Sequence, residues 1–108
     1  MADQSGLDAL LDRAQIEAQA LAGQGVDAVH LWLALLAVRG DQNGYASAHK
    51  VVERYRTSLP HKSTYRRELR ADARRAVDGA RSLGEVEGRL RSFAYRNRPL
   101  AMAMAVES

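Results

Sequence analysis

The length, composition and charge of this chain limit it to one small folded domain. Its 108 residues are enough for a single hydrophobic core, and a content of 46% hydrophobic and 27% charged residues argues against a disordered chain. The chain has no cysteine, which excludes disulfides and thiolate metal sites, and no apolar run reaches the ~20 residues of a membrane span, so we expect a cytoplasmic protein.

The net charge of +3 is unevenly distributed along the chain. Residues 1–48 contain two basic and six acidic side chains, whereas residues 49–108 contain 14 basic and seven acidic ones. The second half is therefore strongly basic, a pattern that favours contact with an anionic partner such as nucleic acid.

The first predicted helix runs from Ser5, as its N-cap, to about Ala22, and the Gly-Gln-Gly sequence at 23–25 ends it. Ile16 lies opposite its apolar stripe and is predicted to be exposed. The stripe consists of Leu7, Leu10, Leu11, Ala14, Ala18, Leu21 and Ala22.

The second predicted helix, residues 27–39, is apolar in almost every direction. Asp27 provides its cap and Gly40 ends it. Because an all-round apolar helix must be covered on every side, we expect it at the centre of the bundle. His30 is predicted to be a core-edge histidine bonded to a backbone carbonyl.

Three further helices are predicted. Residues 41–44 are interpreted as a turn, and the third helix runs from Tyr45 to Ser58, before Pro60. The fourth runs from residues 63 or 64 to Arg81. The fifth begins at Ser82, with the spacing of a capping box, and reaches about Asn97.

The C-terminal segment 100–108 is apolar and is set apart from the helical domain 1–99. It alternates large and small apolar residues, and we expect a short helix or an extended arm, packed on its own bundle or on another subunit of a homo-oligomer. The candidate partner-binding residues are Leu100, Met102, Met104 and Val106.

No motif for catalysis, nucleotide binding or metal binding is present in the sequence. His30, His49 and His61 are not spaced as metal ligands, and glycine-rich phosphate loops and nucleophile elbows are missing. We therefore predict a non-enzymatic binding module without cofactor or metal.

The most specific surface feature is a run of arginines along one face of the predicted fourth helix. Arg67, Arg70, Arg74 and Arg81 recur at spacings of three, four and seven residues, opposite the apolar stripe, and Arg66 lies beside them. We name these five residues the arginine ridge. Guanidinium groups bind phosphate oxygens, so the ridge predicts binding to a nucleic-acid backbone without sequence preference.

Residues 8–56 also carry a family resemblance. An Ala-rich helix, a Gly-containing loop, the sequence HLWLALL at 30–36, a Gly turn and a further helix to Arg56 resemble one repeat of the Clp ATPase N-terminal domain. The resemblance implies a helical module that docks adaptors or substrate proteins. Protein docking is therefore the alternative to nucleic-acid binding.

These patterns together predict an all-α fold, a compact bundle of about five helices around the apolar helix 27–39.

Overall fold

The computed structural model describes residues 2–20, 26–54 and 71–105. These ranges contain six α-helices and one 3₁₀ turn, which confirms the predicted all-α bundle. The elements are α1 (Ala2–Ala20), α2 (Ala28–Val38), α3 (Gln42–Arg54), α4 (Ala71–Val77), α5 (Leu83–Phe93), the 3₁₀ turn (Ala94–Arg96) and α6 (Arg98–Ala105).

The central position of α2 is confirmed. Every residue from Ala28 to Leu36 is buried, and α2 packs against each of the other five helices. An apolar surface on all sides of one helix requires this arrangement, since any uncovered side would leave leucines in water.

Helix α1 forms the most extensive contact with α2. Its fully buried residues Leu10, Ala14 and Ala18 follow one helical stripe, and the two alanines allow the two backbones to approach closely. Ile16, on the opposite side, is 58% exposed, as predicted.

The start of α2 is capped by Asp27, as predicted. Its Oδ1 accepts a hydrogen bond from the backbone N–H of Ala28 (2.8 Å), and its own backbone N–H donates to Nδ1 of His30 (2.9 Å). The prediction that His30 bonds to a backbone carbonyl was therefore wrong for Nδ1, because this nitrogen accepts a hydrogen bond from a backbone N–H. His30 occupies the capping-box position that Glu or Gln usually fills.

The interpretation of residues 41–44 as a turn was wrong. Helix α3 begins at Gln42, with Asp41 as its cap: Oδ1 of Asp41 accepts from the N–H of Gly44 (2.9 Å), and its carbonyl accepts from Tyr45 (2.9 Å). Asp, Asn and Gly are favoured both in turns and in the first turn of a helix, so composition alone does not distinguish the two.

Helix α5 starts where the sequence predicts. Oγ of Ser82 accepts a hydrogen bond from the backbone N–H of Glu85 (3.2 Å). The α-helical part ends at Phe93, and the 3₁₀ turn covers the remainder of the predicted helix up to Arg96.

The C-terminal segment forms α6, which packs against α2 and α3. Its buried residues are Leu100 and Ala103, three positions apart on one face. None of the helices that the structure describes is both long and apolar enough to cross a membrane.

Candidate nucleic-acid interface

Only part of the predicted arginine ridge can be placed. Arg66, Arg67 and Arg70 lie outside the described residues. Arg74 is exposed on α4, and so is the residue that follows it, Arg75.

The prediction that the fourth helix reaches Arg81 was wrong. Helix α4 ends at Val77, and Gly79 follows with φ +69°, a left-handed conformation that typically terminates helices. Arg81 lies beyond this break and donates its backbone N–H to the Glu85 carboxylate (2.9 Å), so it is not on the face of α4.

The side chain of Arg89 fixes the end of α4. Its Nη1 atom donates to the carbonyl of Asp78 at 2.5 Å and lies 3.4 Å from that of Ala76 and 3.5 Å from that of Arg75. A cation on the last carbonyls of a helix satisfies groups that have no partner within the helix and complements its dipole. Arg89 therefore joins α5 to α4 and is not available as a surface cation.

Two arginines from different elements converge on one carboxylate oxygen. Oδ1 of Asp72 on α4 lies 3.2 Å from Nη1 of Arg75 and 3.4 Å from Nη2 of Arg96 in the 3₁₀ turn. Its Oδ2 accepts from Nδ2 of the buried Asn97 (3.1 Å). We name these four residues the Asp72 cluster.

The Asp72 cluster carries one positive charge in excess, because a single carboxylate compensates two guanidinium groups. Asp72 is only 20% exposed, whereas the side chains of Arg75 and Arg96 are 61% and 41% exposed. The anion is thus partly covered while both cations face solvent.

A second carboxylate is also shared by two arginines. Oε1 of Glu87 on α5 lies 2.6 Å from Nη2 of Arg39, and its Oε2 lies 2.9 Å from Nη2 of Arg91. The hydrogen bond from Arg39, with that from Arg91, outweighs burial and lowers the pKa of Glu87 from its ordinary value. The Arg91 guanidinium also lies over the Trp32 ring, 5.1 Å from its centroid.

A basic segment that covers the end of α5 and the residues after it was not identified from the sequence. Residues 89–98 contain four arginines, one tyrosine and no acidic residue, a signal that the sequence does contain. Tyr95 is 82% exposed, and Arg98 is exposed and forms no ion pair with any residue in the described ranges. We name Arg74, Arg75, Arg96 and Arg98 the arginine surface.

The predicted partner-binding residues of the tail do not share one environment. Leu100 is fully buried in the core and Met104 is partly buried, whereas Met102 is 39% exposed. Val106 lies outside the described residues. Among the described tail residues, Met102 is therefore the exposed candidate for a hydrophobic contact with a partner, whereas Leu100 is already used by the bundle.

A buried carboxylate on α1 was also missed. Glu17 is 2% exposed, and its Oε2 accepts hydrogen bonds from Nε of Arg13 (2.8 Å) and from the Tyr45 hydroxyl (2.7 Å). Its position seven residues after Leu10 places it on the apolar stripe of α1, which was the available signal. Burial, followed by the hydrogen bond to Glu17, raises the pKa of Tyr45.

A cleft of about 280 Å³ opens beside this buried pair. Its lining mixes charged, polar and apolar residues from α1, the end of α2 and the start of α3. The lining residues are Arg13, Leu36, Ala37, Gly40, Asp41, Gln42 and Tyr45.

Within the described ranges, no three histidine or acidic side chains are grouped so that they could hold a metal ion. His61 lies outside these ranges. Comparisons with protein-family models, curated proteins and solved structures found no match for the chain.

Proposed function

We propose that this protein is a non-enzymatic module that binds the phosphate backbone of nucleic acid, without sequence preference, through the arginine surface. The observation that carries the proposal is the shared carboxylate of Asp72, which leaves two exposed guanidinium groups with one counter-charge. Guanidinium groups can exchange such a partner for phosphate oxygens, which they can bind in a bidentate manner.

The neighbouring arginines extend this charge. Arg98 lies two residues after Arg96 and has no acidic partner among the described residues, and Arg74 precedes Arg75 on α4. The two pairs come from different parts of the chain and meet where Arg75 and Arg96 share Asp72. Cations grouped in this way can bind several phosphates, and their binding releases counterions. The expected affinity is therefore strongly dependent on salt.

The test compares two variants with the same loss of charge. Changing Arg75 and Arg98 to Gln removes two cations of the arginine surface but leaves Arg96 to pair with Asp72, so the fold is preserved. The matched control changes Lys50 and Arg54 to Gln, both exposed on α3. Binding is measured by fluorescence anisotropy of a labelled oligonucleotide at several salt concentrations.

We expect the first variant to bind about tenfold more weakly than the control. Its plot of log K against log salt concentration should be less steep by about 0.7 for each phosphate of a single strand that no longer pairs with an arginine. A triple change of Arg67, Arg70 and Arg74 to Ala tests the ridge that begins outside the described residues. If the unchanged protein binds no oligonucleotide at low salt, the proposal is wrong.

The second candidate function is peptide docking, favoured by the cleft beside Tyr45. The cleft lies between α1, α2 and α3. These helices fall largely within residues 8–56, the part of the chain that resembles a repeat of the Clp ATPase N-terminal domain. Amide NMR spectra distinguish the two functions. A bound peptide should shift the signals of Gly40 and Gln42, whereas an oligonucleotide should shift those of Tyr95 and Arg96.

A further inference from the structure

The ring of Tyr95 is the most exposed large hydrophobic side chain in the described part of the molecule. It is 82% exposed, compared with 58% for Ile16 and 39% for Met102. Neither a cation, nor another ring, nor a hydrogen-bond partner from the described residues contacts it. Its ring faces are therefore open to solvent, and it contributes little to the core.

The backbone that carries Tyr95 is held on both sides. Asn97 is buried; its backbone N–H donates to the carbonyl of Ala94 (3.0 Å), and its Oδ1 accepts from the N–H of Leu100 (3.2 Å). Before Tyr95, Phe93 is 7% exposed and anchors the end of α5. The exposed ring thus projects from a fixed turn, and contact with a ligand requires little ordering of the backbone.

The two arginines that follow Tyr95 in the chain differ in how they are held. Arg96 lies over the Phe93 ring, 5.0 Å from its centroid, and is bound to Asp72, so its guanidinium group is oriented. Arg98 has no ion-pair partner in the described ranges. Within four consecutive residues the chain thus carries an open aromatic ring, an oriented guanidinium group and an available one. A ring and nearby cations are the two elements by which proteins bind unpaired nucleotides.

We propose that this surface selects single-stranded nucleic acid, with an unpaired base stacked on Tyr95 and the adjacent phosphates on Arg96 and Arg98. The inference rests on the proposed nucleic-acid-binding function. Phosphates are present in both duplexes and single strands, but in a duplex the base faces are covered by neighbouring bases. An aromatic ring therefore adds affinity only for a strand whose bases are accessible.

The expected discrimination follows from the usual strength of base stacking. Removing one stacking side chain weakens binding of a single strand about five- to 150-fold. Binding to a duplex, which uses the arginines alone, is expected to change by less than about twofold when Tyr95 is replaced. Every base has a flat face, so the preference does not require a particular sequence.

The experiment measures anisotropy of a labelled oligodeoxythymidylate strand, whose bases stack weakly on one another, and of the duplex that it forms with oligodeoxyadenylate. The proteins compared are the unchanged chain, Tyr95→Ala, Tyr95→Phe and Tyr95→Leu. Phe keeps the ring, whereas Leu keeps an apolar side chain without a ring. Ile16→Ala, which removes an exposed apolar side chain on α1, is the control, and circular dichroism confirms that each variant is folded.

We expect the single strand to bind more tightly than the duplex, and this preference to persist in Tyr95→Phe and be lost in Tyr95→Ala and Tyr95→Leu. Photo-crosslinking of a strand that contains 5-iodouracil, followed by mass spectrometry, should attach the base to Tyr95. Equal binding of strand and duplex that is unaffected by Tyr95→Ala overturns the inference but leaves the proposed function intact.

Absence of binding to either form overturns both the inference and the proposed function. In that case, sedimentation of the unchanged protein and of Tyr95→Ala shows whether the exposed ring instead belongs to a contact between two copies of the chain. A dimer that dissociates in Tyr95→Ala would assign the exposed ring to a protein interface and exclude the stacking role.

Discussion

The hydroxyl of Tyr45 on α3 donates a 2.7 Å hydrogen bond to the carboxylate of Glu17 on α1, which is 2% exposed. A buried carboxylate loses its hydration and depends on such donors. With Tyr45→Phe, Arg13 is the only described side chain that still donates to Glu17. We expect a loss of about 1–3 kcal/mol in the free energy of unfolding, measured by urea denaturation.

Tyr95→Phe is the matched control for this prediction, because it deletes the same hydroxyl at a site that is 82% exposed. It should leave the urea midpoint unchanged. Equal midpoints for the two variants would contradict a stabilising role of the bond between Tyr45 and Glu17.

Tyr45 also predicts that the stability of the fold depends on pH at the alkaline end. The pKa of Tyr45 is raised above 10.0 in the folded protein, mainly by burial, so the folded state holds the phenolic proton more tightly than the unfolded state. The corresponding stability is fully present below pH 10.0 and is lost as the pH rises through the folded pKa. Tyr45→Phe should remove this part of the alkaline decline, as measured by urea denaturation across this range.

Glu87 predicts the opposite dependence at the acidic end. Its pKa is lowered below 4.5 in the folded protein, first by the hydrogen bond from Arg39, so the unfolded state binds the proton more tightly. The stability that the shared carboxylate contributes is present above pH 4.5 and is lost as the pH falls through the folded pKa.

We therefore expect Glu87→Gln to be less stable than the unchanged protein at neutral pH, and this difference to shrink as the pH falls below 4.5. Asp12→Asn, at an exposed carboxylate on α1 without an ion pair among the described residues, is the control. A difference between Glu87→Gln and the unchanged protein that stays constant with pH would contradict the prediction.

Helix α6 predicts two different responses to side-chain truncation. Leu100 is fully buried, so Leu100→Ala leaves a cavity and should cost about 2–5 kcal/mol in the free energy of unfolding. Met102 is 39% exposed, and Met102→Ala should change the free energy of unfolding by less than about 0.5 kcal/mol. Urea denaturation measures both.

Sedimentation of Met102→Ala also tests the expected homo-oligomer, since Met102 is the exposed one among the predicted tail residues that the structure describes. A dimer of the unchanged protein that persists in this variant would exclude Met102 as its contact. Similar urea midpoints for Leu100→Ala and Met102→Ala would contradict the packing of α6.

The features that the sequence predicted are those decided by local pattern. The sequence from Val29 to Leu36 is apolar except for His30. Such a segment can be buried on all sides only at the centre of a small bundle. The caps at Asp27 and Ser82 were predictable because a side-chain oxygen before an apolar periodic segment can accept a free N–H of the first helical turn. The same signal at Ser5 was misleading, since α1 begins at Ala2.

The features that were missed depend on residues distant in the chain or on competing local signals. The Asp72 cluster joins positions 24 and 25 residues apart, a contact that only tertiary packing creates. Helical spacing continues through Ala80 and Arg81, but Gly79 and the Arg89 side chain end α4 before them. Glu17 lies on an apolar stripe, yet its burial required Tyr45 from another helix.

The Asp72 cluster leads to a prediction in which the removal of a negative charge improves binding to nucleic acid. Asp72→Asn removes the anion that Arg75 and Arg96 share, while the side-chain amide oxygen can still accept from Asn97. Both guanidinium groups then become available to phosphates without having to break an ion pair. We expect oligonucleotide affinity to rise about three- to tenfold at low salt, with a steeper dependence on salt concentration.

The matched control is again Asp12→Asn, which makes the same change of charge on α1. If the gain came only from the net charge of the molecule, the two variants would bind equally well, since long-range attraction depends weakly on position at low salt. A larger gain for Asp72→Asn, measured by anisotropy on protein shown by circular dichroism to be folded, places the phosphates at the Asp72 cluster. Unchanged or weaker binding of Asp72→Asn would instead mean that Arg75 and Arg96 serve only to join α4 to the 3₁₀ turn.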